Sequence, residues 1–232
     1  MSEDVSLFVR SYPNDFEWLK YSIRSMEKNL HGIDETVLVV PVSNDDLPTE
    51  FKQFFDRIFF VQETHEGYVA QQLDKVRAYK YCKFDNILFS DSDCIYFEPF
   101  GASSLLTDDN KAILYKTKYS SLSGDVLAWR DITEQATGIR PEFEYMRCFP
   151  IMHKAVACFE LDNSSVFKTY VSNLQDRSLS EFNALGVHAE ETELRSQYQF
   201  LDTDNHLPER TAKQYWSWGG ITPKIREQLE SI

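Results

Sequence analysis

The sequence predicts an α/β domain built on a mostly parallel sheet, and three observations predict it. Short β-rich runs alternate with amphipathic helical stretches over the first hundred residues, as a parallel sheet requires. The apolar runs are too short for helices and read as strands buried on both faces. One of them, Asn86-Ile87-Leu88-Phe89-Ser90, ends directly in Asp91-Ser92-Asp93. That sets two carboxylates at the carboxyl end of a strand, where open α/β sheets bind their ligands.

Taken in order, residues 5–9 are β-rich and form the first strand, and Arg10-Ser11-Tyr12-Pro13-Asn14-Asp15 follows as a turn with Asp15 as a helix N-cap. Phe16, Leu19, Ile23, Met26 and Leu30 recur at spacings of three and four, which predicts an amphipathic helix over 16–30 with Lys20, Arg24 and Lys28 on its wet side. Gly32 stops it. A second strand over 36–41 ends at Pro41, which cannot continue a central ladder. A short helix over 47–55 and a third strand over 57–61 complete the alternation. Residues 67–81 form a helix that delivers the chain into the Asp-x-Asp strand, with Gln72, Lys75 and Tyr79 on one face. That polar stripe either points into the same crevice or is a solvated face.

Two carboxylates at i and i+2 on a turn can converge on one hard cation, and oxygen-only ligation suits Mg²⁺ or Mn²⁺ sharing a nucleotide's phosphates. The structural alternative is turn chemistry, because acidic residues often cap the next turn. The chain of 232 residues is long enough for one such domain, and its 42% hydrophobic and 14% aromatic content is globular. No apolar run reaches the length of a membrane span, and Met1-Ser2-Glu3-Asp4 lacks the basic segment and apolar core of a signal peptide. Cys82, Cys94, Cys148 and Cys158 are scattered without metal spacing and read as reduced core thiols. A cytoplasmic protein is the expectation.

The net charge of −13 disfavours broad attraction to nucleic acid or anionic membrane. Segment 111–154 is the exception, with 7 Lys or Arg against 5 Asp or Glu. Within it Trp129, Phe143 and Tyr145 are set among Arg130, Arg140 and Arg147, a mixture that suits stacking on a ring and contacting phosphate, or else packs a small subdomain.

The first strand, its polar turn, the helix carrying Gln72 and Lys75, and the strand running into Asp91-Ser92-Asp93 and Tyr96-Phe97-Glu98-Pro99-Phe100 together resemble the nucleotide-sugar-dependent glycosyltransferases of the GT-A fold. The likeness covers residues 5–100 and, beyond them, holds in outline. It implies a Rossmann-like sheet, a nucleotide-sugar-binding half over 1–100 and an acceptor-side half over 101–232. It also implies a nucleotide-sugar donor such as a UDP-sugar, and Mn²⁺ or Mg²⁺ on the diphosphate. Under the resemblance Arg10, Ser11, Tyr12 and Asp15 border the base and ribose, and Lys75 approaches the sugar or diphosphate. Asp93 is the main metal ligand; Asp91 binds ribose, or the metal through water, with Ser92 between them.

Later residues extend the list. Ser180-Glu181-Phe182 resembles a Ser-Glu-aromatic segment of some GT-A relatives, which makes Glu181 a candidate general base toward the acceptor hydroxyl. The competing reading is a capping box with Ser178. His206 is a candidate third ligand or a surface-turn residue. Trp216 and Trp218, ahead of Gly219-Gly220, form either a flap over the donor or an anchor for the tail. The expected acceptor is a glycan, a protein, or a hydroxymethylated DNA base of the kind some bacteriophage enzymes modify. A nucleotidyltransferase on a related sheet and a non-catalytic nucleotide-sugar binder are the alternatives; the former prefers a Gly-rich phosphate loop, which Arg10-Ser11-Tyr12-Pro13 lacks.

Overall fold

A computed structural model describes residues 3–43, 45–63, 65, 67–174, 179–206 and 211–232. The chain begins with β1 (Val5–Arg10), buried at all six positions, and α1 (Phe16–Asn29), which buries Leu19, Ile23 and Met26 against the sheet. Next come the short β2 (Leu30–His31), then β3 (Glu35–Val40), α2 (Thr49–Phe54), β4 (Arg57–Phe60), α3 (Gly67–Val76) and β5 (Asn86–Phe89). Apart from β2, which falls where the first helix was expected to end, each of these was expected from the periodicity, with ends displaced by a residue or two. The exception is the helix expected over 67–81. It stops at Val76, and a separate 3-10 turn (Ala78–Lys80) turns Tyr79 away from Gln72 and Lys75, so that its hydroxyl donates to Asp162 at 3.0 Å.

After Asp93 the chain runs through β6 (Cys94–Tyr96), β7 (Phe100–Gly101), β8 (Ala112–Lys118), α4 (Ala128–Thr137), β9 (Phe143–Glu144) and β10 (Ile151–Lys154). The central sheet has the order β10-β5-β1-β3-β4; β5, β1, β3 and β4 are parallel, and β10 closes the edge antiparallel to β5. The fold is α/β with a mostly parallel central sheet and flanking helices. From β1 the chain crosses to β3 on one side and later returns to β5 on the other, so the strand order reverses between β1 and β5. Such a reversal opens a crevice at the carboxyl ends of the two strands.

The remaining elements are α5 (Ala155–Asn163), α6 (Ser165–Val171), α7 (Glu181–Glu191), β11 (Tyr198–Asp202), β12 (Ala212–Gln214) and α8 (Pro223–Glu230). Ser164 caps α6, its hydroxyl accepting the Phe167 amide at 3.1 Å. A small sheet of order β11-β8-β9 stands beside the main one, and β12 lies antiparallel on β6. From beyond residue 100, β10 joins the central sheet and β12 pairs with β6 in a separate two-stranded sheet. The four cysteines are free, two of them buried (Cys94, Cys158) and two only partly so (Cys82, Cys148). Among the described residues no helix is long and apolar enough to cross a membrane.

Strand β6 is held from α1 by side chains. Ser22 donates to the Cys94 carbonyl at 2.7 Å, Ser25 accepts the Tyr96 amide at 3.0 Å, and Asn29 donates to the Tyr96 carbonyl at 2.7 Å. These groups satisfy buried backbone that β12 does not reach. On its outer face α1 offers Trp18 and Tyr21 to a second apolar cluster with Ile95, Tyr215 and Leu229, which fastens the carboxyl-terminal segment to the domain.

Candidate functional site

The crevice between β1 and β5 is built by short polar loops whose backbones brace each other. Ser11 follows β1 and gives its amide to Val39 of β3 at 3.1 Å. The Ser92 hydroxyl, in the turn between the two aspartates, reaches the Ser11 hydroxyl at 3.0 Å. The Asp-x-Asp turn is thereby tied to the tip of β1, and both aspartates are buried.

Lysine 75, on α3, reaches the same turn from below. Its ammonium sits 2.6 Å from Asp91 Oδ1 and 2.9 Å from Glu181 Oε1, with all three side chains buried. Burial alone would favour the neutral amine; the Asp91 and Glu181 carboxylates outweigh it and raise the Lys75 pKa. Asp91 Oδ2 accepts Gln214 Nε2 at 2.8 Å, while Oδ1 is the oxygen paired with Lys75. Asp93 Oδ2 accepts the backbone amide of Ser217 at 2.8 Å, and the Asp93 carbonyl accepts the Tyr215 amide at 2.9 Å. Burial, reinforced by the neighbouring Asp91, pushes the Asp93 carboxyl up to about 7. Asp15 lies close enough to add to that repulsion; burial raises its own pKa, with the Ser217 and Tyr12 side chains opposing. Tyr12 borders Asp15, and its phenol is raised by burial and then by that carboxylate.

Several expected site residues take other parts. Arg10 does not border the crevice: its guanidinium is fully buried, donating to Asp74 at 2.8 Å, Glu63 at 3.0 Å and the Ser11 carbonyl. A buried guanidinium needs such partners, and they leave it no face for a ligand. Asp15 makes no side-chain cap on α1 and turns toward Tyr12 and Ser217 instead. Glu181 opens α7 and serves as a counter-charge of Lys75. Ser178 of the capping-box reading lies outside the described residues, and so do residues 207–210 beside His206. Tyr145 is a core residue, its hydroxyl donating to Glu190 at 2.6 Å.

The two tryptophans divide from the tail that carries them. Tyr215 is the anchor, stacked near Trp18 at 5.4 Å between ring centroids, while Trp216 and Trp218 are 63% and 85% exposed. Both line a cavity of ≈ 1070 Å³, whose wall also includes Gln214, Trp129, Glu144 and Arg147. A smaller cavity of ≈ 450 Å³ opens at the carboxyl ends of β3 and β4, between Pro41, Ser43, Phe60 and Glu63.

As a donor set, Asp91 and Asp93 are oxygen-only and buried beside each other, and burial first and the Asp91 charge second raise the Asp93 pKa, a strain on the carboxylate that a cation would relieve. Among the described residues no three His, Cys, Asp or Glu side chains gather as a cation site. A hard cation here would take Asp93 first, because Asp91 is held by Lys75 and Gln214, and would complete its shell from phosphate and water.

No family model and no curated protein matches the chain. Among solved structures it is similar to the glycosyltransferase GlyE of Streptococcus pneumoniae TIGR4, at 10% identity and a TM-score of 0.46, over 85% of this chain and 45% of that one. The chain thus spans less than half the length of that protein. The functional reading rests on the site itself.

Three contributors to that site carry no local sequence signal. Gln214 sits in a three-residue strand, too short for any periodicity, and Ser217 acts through its backbone amide. Glu144 belongs to a two-residue strand and looked like one more charge of a loop.

Proposed function

We propose that this chain is a glycosyltransferase that moves a sugar from a nucleoside-diphosphate donor to an acceptor hydroxyl. The observation that carries the reading is the buried Asp91-Ser92-Asp93 turn, at the carboxyl end of β5, beside β1, where the strand order reverses. Such a crevice suits a nucleotide, and the paired carboxylates suit a diphosphate through a divalent cation, Mn²⁺ or Mg²⁺. When bound, the cation would stabilise the charge of the departing diphosphate without any proton moving.

The chain's own residues divide the remaining work. Asp93 holds the cation side, and the Ser217 amide keeps its carboxylate aimed. Lys75 and Gln214 fix Asp91, which is left to orient ribose or metal-bound water. Tyr12, Ser11 and Asp15 form the floor under the nucleoside, and the smaller cavity between Pro41 and Phe60 accommodates the base. Exposed Trp218, on a segment ending in Gly219 and Gly220, covers the donor's sugar on one side and lines the larger cavity on the other.

The test is thermal unfolding with and without Mn²⁺ and UDP, on the wild type and on Asp93→Asn. A ligand at ~100 times its dissociation constant adds about 2.7 kcal/mol to the folded state, a shift of a few degrees for a domain of this size. A rise that needs metal and nucleotide together and vanishes in the variant is the expected result. No rise with UDP, GDP, ADP or CDP, each with Mn²⁺ or Mg²⁺, would remove the donor site.

A further inference from the structure

Three features of the wall of the ≈ 1070 Å³ cavity bear on what enters it. First, it is continuous with the Asp-x-Asp turn: Gln214, one of its lining residues, holds Asp91, and Trp216 and Trp218 flank the Ser217 amide that holds Asp93. Second, its lining is rich in aromatic side chains, Phe97, Trp129, Trp216 and Trp218 among them, set beside polar groups, a composition suited to the flat apolar faces and hydroxyl edges of sugar rings. Third, its charges cancel, Asp125 and Glu144 against Arg147 and Lys213, so nothing in it favours a polyanion.

Glu144 is the unusual member. Its side chain is 2% exposed, yet it lines the cavity. Oε2 lies 3.0 Å from Arg147 Nε, a partner that is itself half exposed, and has no other. A buried carboxylate held by one half-exposed guanidinium is only partly compensated for the water it has lost. Its neighbour in sequence, Tyr145, is pinned to α7 by its amide on Asn183 at 2.8 Å and its hydroxyl on Glu190, so the strand holding Glu144 is rigid.

We infer, on the basis of the glycosyltransferase reading above, that this cavity is the acceptor site, that it takes an uncharged saccharide, and that Glu144 is its general base. Glu144 removes the proton of the acceptor hydroxyl as that oxygen bonds to the donor's anomeric carbon. The bond from that carbon to the β-phosphate oxygen breaks, and its electron pair leaves with the nucleoside diphosphate; the proton then passes from Glu144 to water. Burial, opposed by Arg147, places the Glu144 carboxyl at about 7, where a base is both free to accept a proton and strong enough to take one. The other groups that face it are the Tyr119 phenol and the Arg147 guanidinium.

The experiment separates acceptor binding from donor binding. Quenching of tryptophan fluorescence by neutral disaccharides (lactose, maltose, cellobiose) is titrated without nucleotide on the wild type, Trp218→Ala and Asp93→Asn. Transfer from UDP-glucose, UDP-galactose and UDP-N-acetylglucosamine is then measured on the wild type and Glu144→Gln. Saturable quenching that weakens at least tenfold in Trp218→Ala and persists in Asp93→Asn is the expected binding result. For Glu144→Gln the expectation is a retained UDP–Mn²⁺ thermal shift, which shows it folded, with transfer at least 100-fold lower. Wild-type transfer by Glu144→Gln overturns the base, and absent quenching alongside a clear UDP–Mn²⁺ shift overturns the saccharide site while the donor reading stands. Quenching without any nucleotide shift has the opposite meaning: the donor reading fails and takes the base with it.

Discussion

Lysine 75 is the residue whose removal should be felt most. It neutralises two buried carboxylates at once, and truncating one member of such a set leaves the others charged and unpaired, at about 3–5 kcal/mol. Urea unfolding of Lys75→Ala should show that loss, whereas Lys80→Ala, a more exposed lysine on Asp162, should fall within about 1 kcal/mol of the wild type; equal effects would mean the buried triad is not as drawn. Glu144 gives a pH signature. Its carboxyl titrates near 4.5 when exposed and near 7 when folded. Between those values the folded chain holds a proton that the unfolded chain has released, so stability falls as pH rises through the window and the loss is complete above it. Glu144→Gln should therefore gain on the wild type between pH 5 and pH 8 in urea midpoint, and an unchanged difference would show that the group does not ionise in place. The sequence exposes Asp91 and Asp93 because both the strand and the carboxylates are local. Gln214, 123 residues from its partner Asp91, is written nowhere near it.

Helix α7 shapes the site by packing as well as through the Glu181 carboxylate. A Cβ on Gly186 would stand 2.3 Å from Tyr145 Cγ and 2.7 Å from its Cβ, so this helix position admits only glycine while β9 lies against it. Gly186→Ala should cost about 1–3 kcal/mol by overpacking, and combined with Tyr145→Ala the two losses should be less than additive; strict additivity in a thermal-denaturation cycle would mean that α7 and β9 do not abut. Helix α1 makes the same point through polar residues. Ser22, Ser25 and Asn29 belong neither to its apolar stripe nor to its charged side, and they are the partners of the β6 backbone. Strands β1, β3, β4 and β5 were legible because buried parallel strands are written as continuous apolar runs. Strands of two or three residues such as β9 and β12 have no period to read, and their pairing is decided by parts of the chain far away.

Across the whole molecule, the seven cations of segment 111–154 do not make a basic face. Lys111 pairs with Asp109, Lys116 with Glu190, Lys118 with Asp202, Arg140 with Asp131 and Glu134, Arg147 with Glu144, and Lys154 with Asp85, while Arg130 donates to the Pro141 carbonyl. Composition counted those charges and could not see their partners. Duplex DNA, hydroxymethylated or not, should remain unshifted in a gel with micromolar protein at physiological salt; a shift there would restore a nucleic-acid acceptor. The same long-range pairing brings residues 212–217 onto the Asp-x-Asp turn, with Gln214 opposite Cys94 and a peptide amide on Asp93. The contact to Asp93 survives any replacement of Ser217 except proline, since the main chain makes it. A slip of one residue between β12 and β6 would instead turn Gln214 outward and carry the amide past its carboxylate. At Ser217 the count of residues matters more than the name, so a one-residue insertion or deletion ahead of it does what no side-chain replacement short of proline can.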